Sequence, residues 1–159
     1  MAIELASQWT VFFHDYENTS WNHESYEKLV VLRTIPQFWT FYDIIRTKLQ
    51  AGMFFVMKEN HFPRWDADMV GHARYHFLSV KVIKAKVEYC AEHILIRLLS
   101  EQLYPPDPSV VRGVSISPKK HFCIFKVWIV ADDIEEVRNN EAAFDLPKCY
   151  HGSIMFKDT

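Results

Sequence analysis

Two of the five tryptophans of this chain lie on segments that the sequence predicts to be loops. Trp21 stands in the polar stretch 15–22 between two apolar runs, and Trp65 stands in the stretch 59–71. A tryptophan supplies a wide apolar surface with a donor at one end, and in a loop it is weakly explained by core packing. With an aromatic content of 15%, these residues indicate a stacking site, an interface, or both.

A third tryptophan shares one face of a predicted strand with a lysine. Along residues 122–129 apolar side chains alternate with a mixed set, so that Lys126 and Trp128 lie on the same face. The apolar face is predicted to be core. The mixed face is more typical of a site lining than of a core layer.

The elements that must position these residues follow from the hydrophobic patterning. Strands are predicted at 8–14, 25–33, 53–58, 73–81, 110–117, 122–129 and 150–156, and helices at 35–50, 83–104 and 132–144. This order favours an α+β fold, in which a mostly antiparallel sheet carries helices on one face. The opposite face is then available for a ligand.

The first predicted helix begins with a capping box, because Thr34 and Gln37 have the required spacing. Trp39 lies about 100° around this helix from the core residue Phe38, on the predicted solvent side. The second helix has an extra apolar stripe that includes Ile96 and Leu99. That stripe could pack within the fold or meet another protein.

Composition limits the class of protein. The 159 residues, 49% of them hydrophobic, suit one domain spanning 1–159. No leader and no membrane span are predicted, so we expect a soluble protein that is not secreted. Three widely spaced cysteines predict reduced thiols in the cytoplasm, with the nucleus as a second compartment. A net charge of −2 argues against a long electrostatic footprint on nucleic acid.

Catalysis is the competing hypothesis, and the spacing argues against it. The candidate ligands or acid–base groups are His61, Asp66, Asp68, His72 and His76. They match no recognised zinc pattern, and they are spread over different predicted elements. We therefore predict that the chain is not an enzyme and has neither a metal nor an organic cofactor.

An ordered set of motifs covers most of the chain and resembles the eukaryotic translation initiation factor 4E family, the proteins that bind the mRNA cap. The motifs are Trp9-Thr-Val-Phe-Phe-His-Asp15, Thr19-Ser-Trp21, Thr34-Ile-Pro-Gln-Phe-Trp39-Thr-Phe-Tyr42, Pro63-Arg-Trp65-Asp66, Gly113-Val-Ser-Ile116 and Val127-Trp128. The resemblance implies a curved antiparallel sheet with three helices on its convex face. It also implies binding of the 7-methylguanosine 5′ cap at the concave face.

The resemblance assigns a role to each cap-site residue. Trp21 and Trp65 match the tryptophans that sandwich the methylated guanine, Asp66 matches the acid that reads its edge, and Trp128 matches the tryptophan beside the methyl group. Methylation at N7 makes the base cationic, so stacking between indoles gains a cation–π attraction that unmethylated guanine lacks. Asp66 stands where the family usually has glutamate, which shortens the reach of the carboxylate by one methylene.

Two further sites follow from the same resemblance. Lys119, Lys126 and Arg74 are the candidates for the cap phosphates, although Ile124 stands where the family has a lysine. Trp39, Ile96 and Leu99 match the surface that receives a Tyr-x-x-x-x-Leu-Φ helix of a 4G-like scaffold or a 4E-binding protein. The expected role is translation initiation or its regulation. The alternative is an interaction protein with weak or no cap binding that sequesters a 4G-like partner.

Overall fold

A computed structural model describes residues 4–15, 17–63, 75–146 and 150–158. The strands are β1 Glu4–Asp15, β2 Glu27–Thr34, β3 Gly52–Lys58, β4 His76–Ile83, β5 Val111–Pro118, β6 Phe122–Ile129 and β7 Tyr150–Asp158. The helices are α1 Ile35–Ile45, α2 Val87–Leu99 and α3 Ile134–Asn139. The seven strands form one sheet in the order β2-β1-β3-β5-β6-β4-β7, with antiparallel neighbours throughout.

The main hydrophobic core lies between one face of the sheet and the three helices. Phe38 of α1, Leu95 of α2 and Val137 of α3 pack in the same buried cluster as Val56 and Phe125 of the sheet. Because neighbouring strand residues point to opposite faces, this face takes every second side chain of β6, as predicted. The predicted α+β architecture, with three helices on one face of an antiparallel sheet, is confirmed.

The opposite face of the sheet carries a second buried cluster, made mostly of aromatic rings. We call it the aromatic cluster; its buried members are Phe12, Tyr26, Phe55, Met57, Tyr75, Phe77 and Trp128. Within the described residues the sheet is therefore packed on both faces.

The capping box of α1 is confirmed. The Thr34 hydroxyl accepts from the Gln37 amide at 3.3 Å, and the Gln37 side chain accepts from the Thr34 amide at 3.1 Å. The predicted end of this helix at residue 50 is wrong, because a 3₁₀ turn at Arg46–Lys48 follows Ile45. This tighter turn brings the chain into β3 at Gly52.

The other predicted helices are also too long. The α-helical part of the second starts at Val87, because β4 continues to Ile83 and a 3₁₀ turn follows it. It ends at Leu99, and Glu101 adopts the left-handed region with φ 58°. The third covers only Ile134–Asn139 before a 3₁₀ turn. In the opposite sense, β1 begins at Glu4, four residues earlier than predicted.

The cysteine prediction is wrong for Cys90, which takes part in a disulfide bond. Cys123 is a free thiol in the core, and burial raises its pKa. Cys149 lies outside the described residues. In the part of the chain that the structure describes, no helix is long and apolar enough to cross a membrane.

Candidate functional site

Local side chain to backbone hydrogen bonds shape the loop that carries Trp21. Asp15 Oδ1 accepts from the Glu17 amide at 2.9 Å, and Asn18 Oδ1 accepts from the Ser20 amide at 2.9 Å. Short Asp and Asn side chains favour such turns because they satisfy the backbone amides of their near neighbours. The loop thus returns toward the end of β1 at the position of Trp21.

The Trp21 indole lies flat on the imidazole of His14. The ring centroids are 3.7 Å apart and the planes differ by 3°. His14 follows Phe12 by two residues in β1, so its side chain lies on the face of the aromatic cluster. His14 is 1% exposed, whereas Trp21 is 42% exposed. A buried ring therefore supports an indole that still presents a large surface to solvent.

Trp128 has a different environment. It is 3% exposed, and the rings of Phe77, Tyr75 and Phe55 meet it edge to face at centroid distances of 4.8, 5.0 and 6.1 Å. Its Nε1 donates to Ser115 Oγ at 3.0 Å. Trp128 is thus a member of a packed cluster in this structure, with its single donor already used.

Two rings connect Trp21 with Trp128. Tyr26 meets the edge of Trp21 at 6.0 Å and that of Phe55 at 5.5 Å, and Phe55 in turn contacts Trp128. Trp21 and Trp128 thus lie on the same side of the sheet. Trp65, Asp66 and Arg74 lie outside the described residues.

Hydrogen bonds connect the residues on either side of the segment 64–74. Arg112 Nη1 donates to His61 Nε2 at 2.9 Å. Because Nε2 accepts, the hydrogen of a neutral His61 ring is on Nδ1. Nδ1 lies 2.9 Å from the Tyr75 hydroxyl oxygen. Burial raises the pKa of Tyr75 to about 12. Phe62, next to His61, packs on Phe12 and Tyr26.

The two described phosphate candidates occupy different parts of β6 and its turn. Lys119 is exposed at the β5–β6 turn and lines a cavity of about 420 Å³ with Lys84 and the acids Asp15 and Glu17. Lys126 lies within β6, with Nζ 5.3 Å from the centre of the Phe77 ring. The acids of the cavity stand at the start of the loop that carries Trp21.

The predicted partner surface is partly exposed. Trp39 is 43% exposed and Ile96 is 38% exposed, while Leu99 is 1% exposed and packs in the main core. The helices that carry Trp39 and Ile96 are joined where the Tyr42 hydroxyl donates to the Glu88 carbonyl at 2.6 Å. Burial raises the pKa of Tyr42, which keeps this donor protonated.

Sequence reasoning missed His14, Ser115 and the chain of His61, Tyr75 and Arg112. A histidine inside the otherwise apolar run 11–14 was the available signal for His14, although it does not reveal which ring the imidazole meets. Among the described residues, no group of three or more histidine, cysteine, aspartate or glutamate side chains could hold a metal ion. Asp66, Asp68 and His72 lie outside them.

Comparison with known proteins gives a family and a fold. The family model of eukaryotic initiation factor 4E matches residues 4–146. No curated protein matches the chain. The resemblance predicted from the sequence motifs is confirmed by the family match.

Solved structures with the same fold include three relatives of low identity. Ascaris suum eIF4E-3 with m2,2,7G cap is 17% identical with a TM-score of 0.77, over 99% of this chain and 92% of that one. Schistosome eIF4E complexed with m7GpppG and 4E-BP is 16% identical with a TM-score of 0.79, over 99% and 89%. C. elegans eIF4E-3 with the 4E-binding protein Mextli and a cap analog is 14% identical with a TM-score of 0.78, over 99% and 93%.

Proposed function

We propose that this chain, which belongs to the eukaryotic initiation factor 4E family, binds the 7-methylguanosine 5′ cap of mRNA by stacking the base on Trp21. Through a protein partner bound at Trp39, it then acts in translation initiation or its regulation. The mechanism is recognition, with no bond made or broken. We propose the cytoplasm as its compartment, with the nucleus as the second, although the disulfide of Cys90 removes the support that the cysteines gave to this expectation.

One observation carries the cap-binding proposal. Trp21 lies parallel to a buried ring at 3.7 Å and yet is 42% exposed. An indole that is held flat but left open offers a π surface on which a cationic base gains both stacking and cation–π attraction. Relatives of the same fold have been solved with m7G and m2,2,7G caps, which supports a methylated guanine as the ligand.

The phosphates of the cap are proposed to meet Lys119 and Lys126, together with Arg74. Lys119 stands exposed beside the Trp21 loop, but Asp15 and Glu17 line the same cavity and reduce its positive charge. We therefore expect the phosphates to add less affinity than the stacked base.

Fluorescence titration with 7-methyl-GTP and GTP tests cap binding. Wild type should show saturable quenching by the methylated ligand only, and Trp21→Ala or Trp65→Ala should lose about 1–3 kcal/mol of binding free energy. Trp39→Ala is the matched control, because Trp39 has the same residue type and an exposure of 43% but lies on α1. A Trp21→Ala variant that binds 7-methyl-GTP like wild type would refute the stacking role.

A second titration tests the partner surface. A helical peptide with the Tyr-x-x-x-x-Leu-Φ pattern of a 4G-like scaffold or a 4E-binding protein should lose affinity for Trp39→Ala and keep it for Trp21→Ala. Exposed apolar side chains on adjacent helices suit the apolar face of such a peptide. Relatives solved with 4E-BP and Mextli support this class of partner.

The alternative function is sequestration of a 4G-like partner with weak or no cap binding. The burial of Trp128 favours it, because an indole that is 3% exposed offers little surface to a methyl group. This alternative predicts peptide binding that depends on Trp39, together with no response to 7-methyl-GTP. The two titrations therefore separate the two functions.

A further inference from the structure

His14 is a buried polar ring on a face of the sheet that is otherwise mostly aromatic and apolar. Its side chain is 1% exposed, and each of its two nitrogens lies within hydrogen-bond distance of a backbone carbonyl oxygen. Nε2 lies 2.7 Å from the Ser20 oxygen and Nδ1 lies 3.1 Å from the Asp15 oxygen. A carbonyl only accepts, so the shorter contact places the hydrogen of a neutral ring on Nε2. The ring therefore joins the end of β1 to the far side of the loop.

The same ring is the support on which Trp21 rests. The Ser20 carbonyl that the imidazole binds belongs to the residue just before Trp21, so one side chain fixes both the backbone and the indole. Tyr26 closes the arrangement from the side, with its ring 5.3 Å from that of His14 and 6.0 Å from that of Trp21. The two rings thus contact the indole on one face and along one edge.

Restricting the indole matters for the affinity of a stacked ligand. A side chain that must be immobilised on binding costs about 0.5–1.5 kcal/mol, and this cost is avoided when the chain is already ordered. An exposed tryptophan on a loop would normally meet that cost. We infer that His14 is a positioning residue, which presets the Trp21 indole for a planar ligand by stacking beneath it and by holding the Ser20 carbonyl.

This inference rests on the proposed cap binding, and its test has a readout that needs no ligand. In wild type, nuclear Overhauser contacts should join the His14 ring protons to the Trp21 indole, whose resonance is identified by its loss in Trp21→Phe. The stacked imidazole should also shift the indole protons by its ring current. Absence of both signals from the folded protein would overturn the inference, whether or not the cap is bound.

Two variants of His14 then separate the flat ring from its hydrogen bonds. His14→Leu removes the ring and should lower the affinity for 7-methyl-GTP by roughly two- to tenfold, with the indole shift lost. His14→Phe keeps a flat ring without the bond to Ser20, so it should retain the indole shift and recover most of the affinity. Tyr26→Leu, which removes a lateral ring, should have a smaller effect than His14→Leu.

The outcomes of the inference and of the proposed function are distinct. If wild type does not bind 7-methyl-GTP, the proposed function fails, and the wild-type spectrum alone decides whether His14 orders Trp21. If wild type binds but His14→Leu binds equally well, the inference fails while cap binding stands. If His14→Leu does not fold, the inference is tested on His14→Phe alone, by the ring-current shift of the Trp21 indole and by the affinity for 7-methyl-GTP. A His14→Phe variant that binds tenfold more weakly and shows no indole shift would contradict the idea that a flat ring supports Trp21.

Discussion

Two buried serines that flank the same lysine should differ in the effect of replacement by alanine on stability. Ser115 and Ser79 both pair with Lys126, one from β5 and one from β4, and they are 2% and 8% exposed. Ser115 Oγ accepts from Trp128 Nε1, whereas Ser79 Oγ has no hydrogen-bond partner among the described residues. The same substitution therefore removes a needed acceptor at one position and an unsatisfied hydroxyl at the other.

The magnitude follows from the burial of Trp128. At 3% exposure its Nε1 cannot turn to solvent, so Ser115→Ala leaves a buried donor without a partner at a cost of about 1–3 kcal/mol. For a chain of this size each kcal/mol lowers Tm by about 2–4 °C. Ser79→Ala removes a buried hydroxyl to which no described residue is hydrogen-bonded, so its effect should be near zero or slightly stabilising.

Urea unfolding monitored by circular dichroism is the assay, with midpoints compared at an unchanged m-value. Trp128→Phe provides an internal check, because it removes the Nε1 donor. In that background Ser115→Ala leaves no indole donor without an acceptor, so it should add little further destabilisation. Equal destabilisation by Ser79→Ala and Ser115→Ala would refute the reasoning. So would a Ser115→Ala midpoint indistinguishable from wild type.

Three further predictions concern the elements around the site. Thr34→Ala should destabilise the protein by about 0.5–2 kcal/mol, because it removes the N-cap hydrogen bond of α1. Thr40→Ala is the control: Thr40 is exposed in the same helix, and its replacement should be neutral or slightly stabilising in the same urea assay. Gly113→Ala should cost about 1–3 kcal/mol, because the added Cβ would lie 2.7 Å from the backbone oxygen of Val56, which cannot move without breaking the β3–β5 pairing. Tyr75 should titrate with a pKa of about 12 in an ultraviolet absorbance titration of wild type against Tyr75→Phe. Burial raises this pKa above its value in the unfolded chain. The contribution of Tyr75 to the free energy of unfolding is therefore fully present below pH about 10 and is lost as the pH rises toward 12.

Features set by neighbouring residues were predictable from the sequence. The alternation of β6 identified Phe125 and Val127 as core and placed Trp128 on the other face, because the side-chain period of a strand is fixed by its backbone. The start of α1 was predictable for a similar reason, since Thr34 and Gln37 satisfy each other across three residues. Helix ends were predicted poorly, because a change from α to 3₁₀ depends on where the next strand begins.

Features set by contacts between distant residues were not predictable. The second stripe of α2 illustrates this: periodicity marks Ile96 and Leu99 as apolar, but only the assembled fold buries Leu99 at 1% exposure and leaves Ile96 at 38%. Trp128 is a second example, because its aromatic surroundings come from β3 and β4 and its acceptor comes from β5. The stack of Trp21 on His14 depends on a loop conformation that no local rule predicts.

The direct junction between β2 and α1 has a consequence for how the two faces of the molecule are related. β2 begins at Glu27, next to the Tyr26 ring that touches Trp21, and α1 begins at Ile35 with no residue between strand and helix. Eight strand residues extend over roughly 25 Å, and the capping box fixes the angle at their end. After Tyr26 the chain thus runs through one continuous strand directly into the helix that carries Trp39. A base stacked on Trp21 and a helical peptide bound at Trp39 would therefore be linked through a single eight-residue strand and the helix that directly follows it.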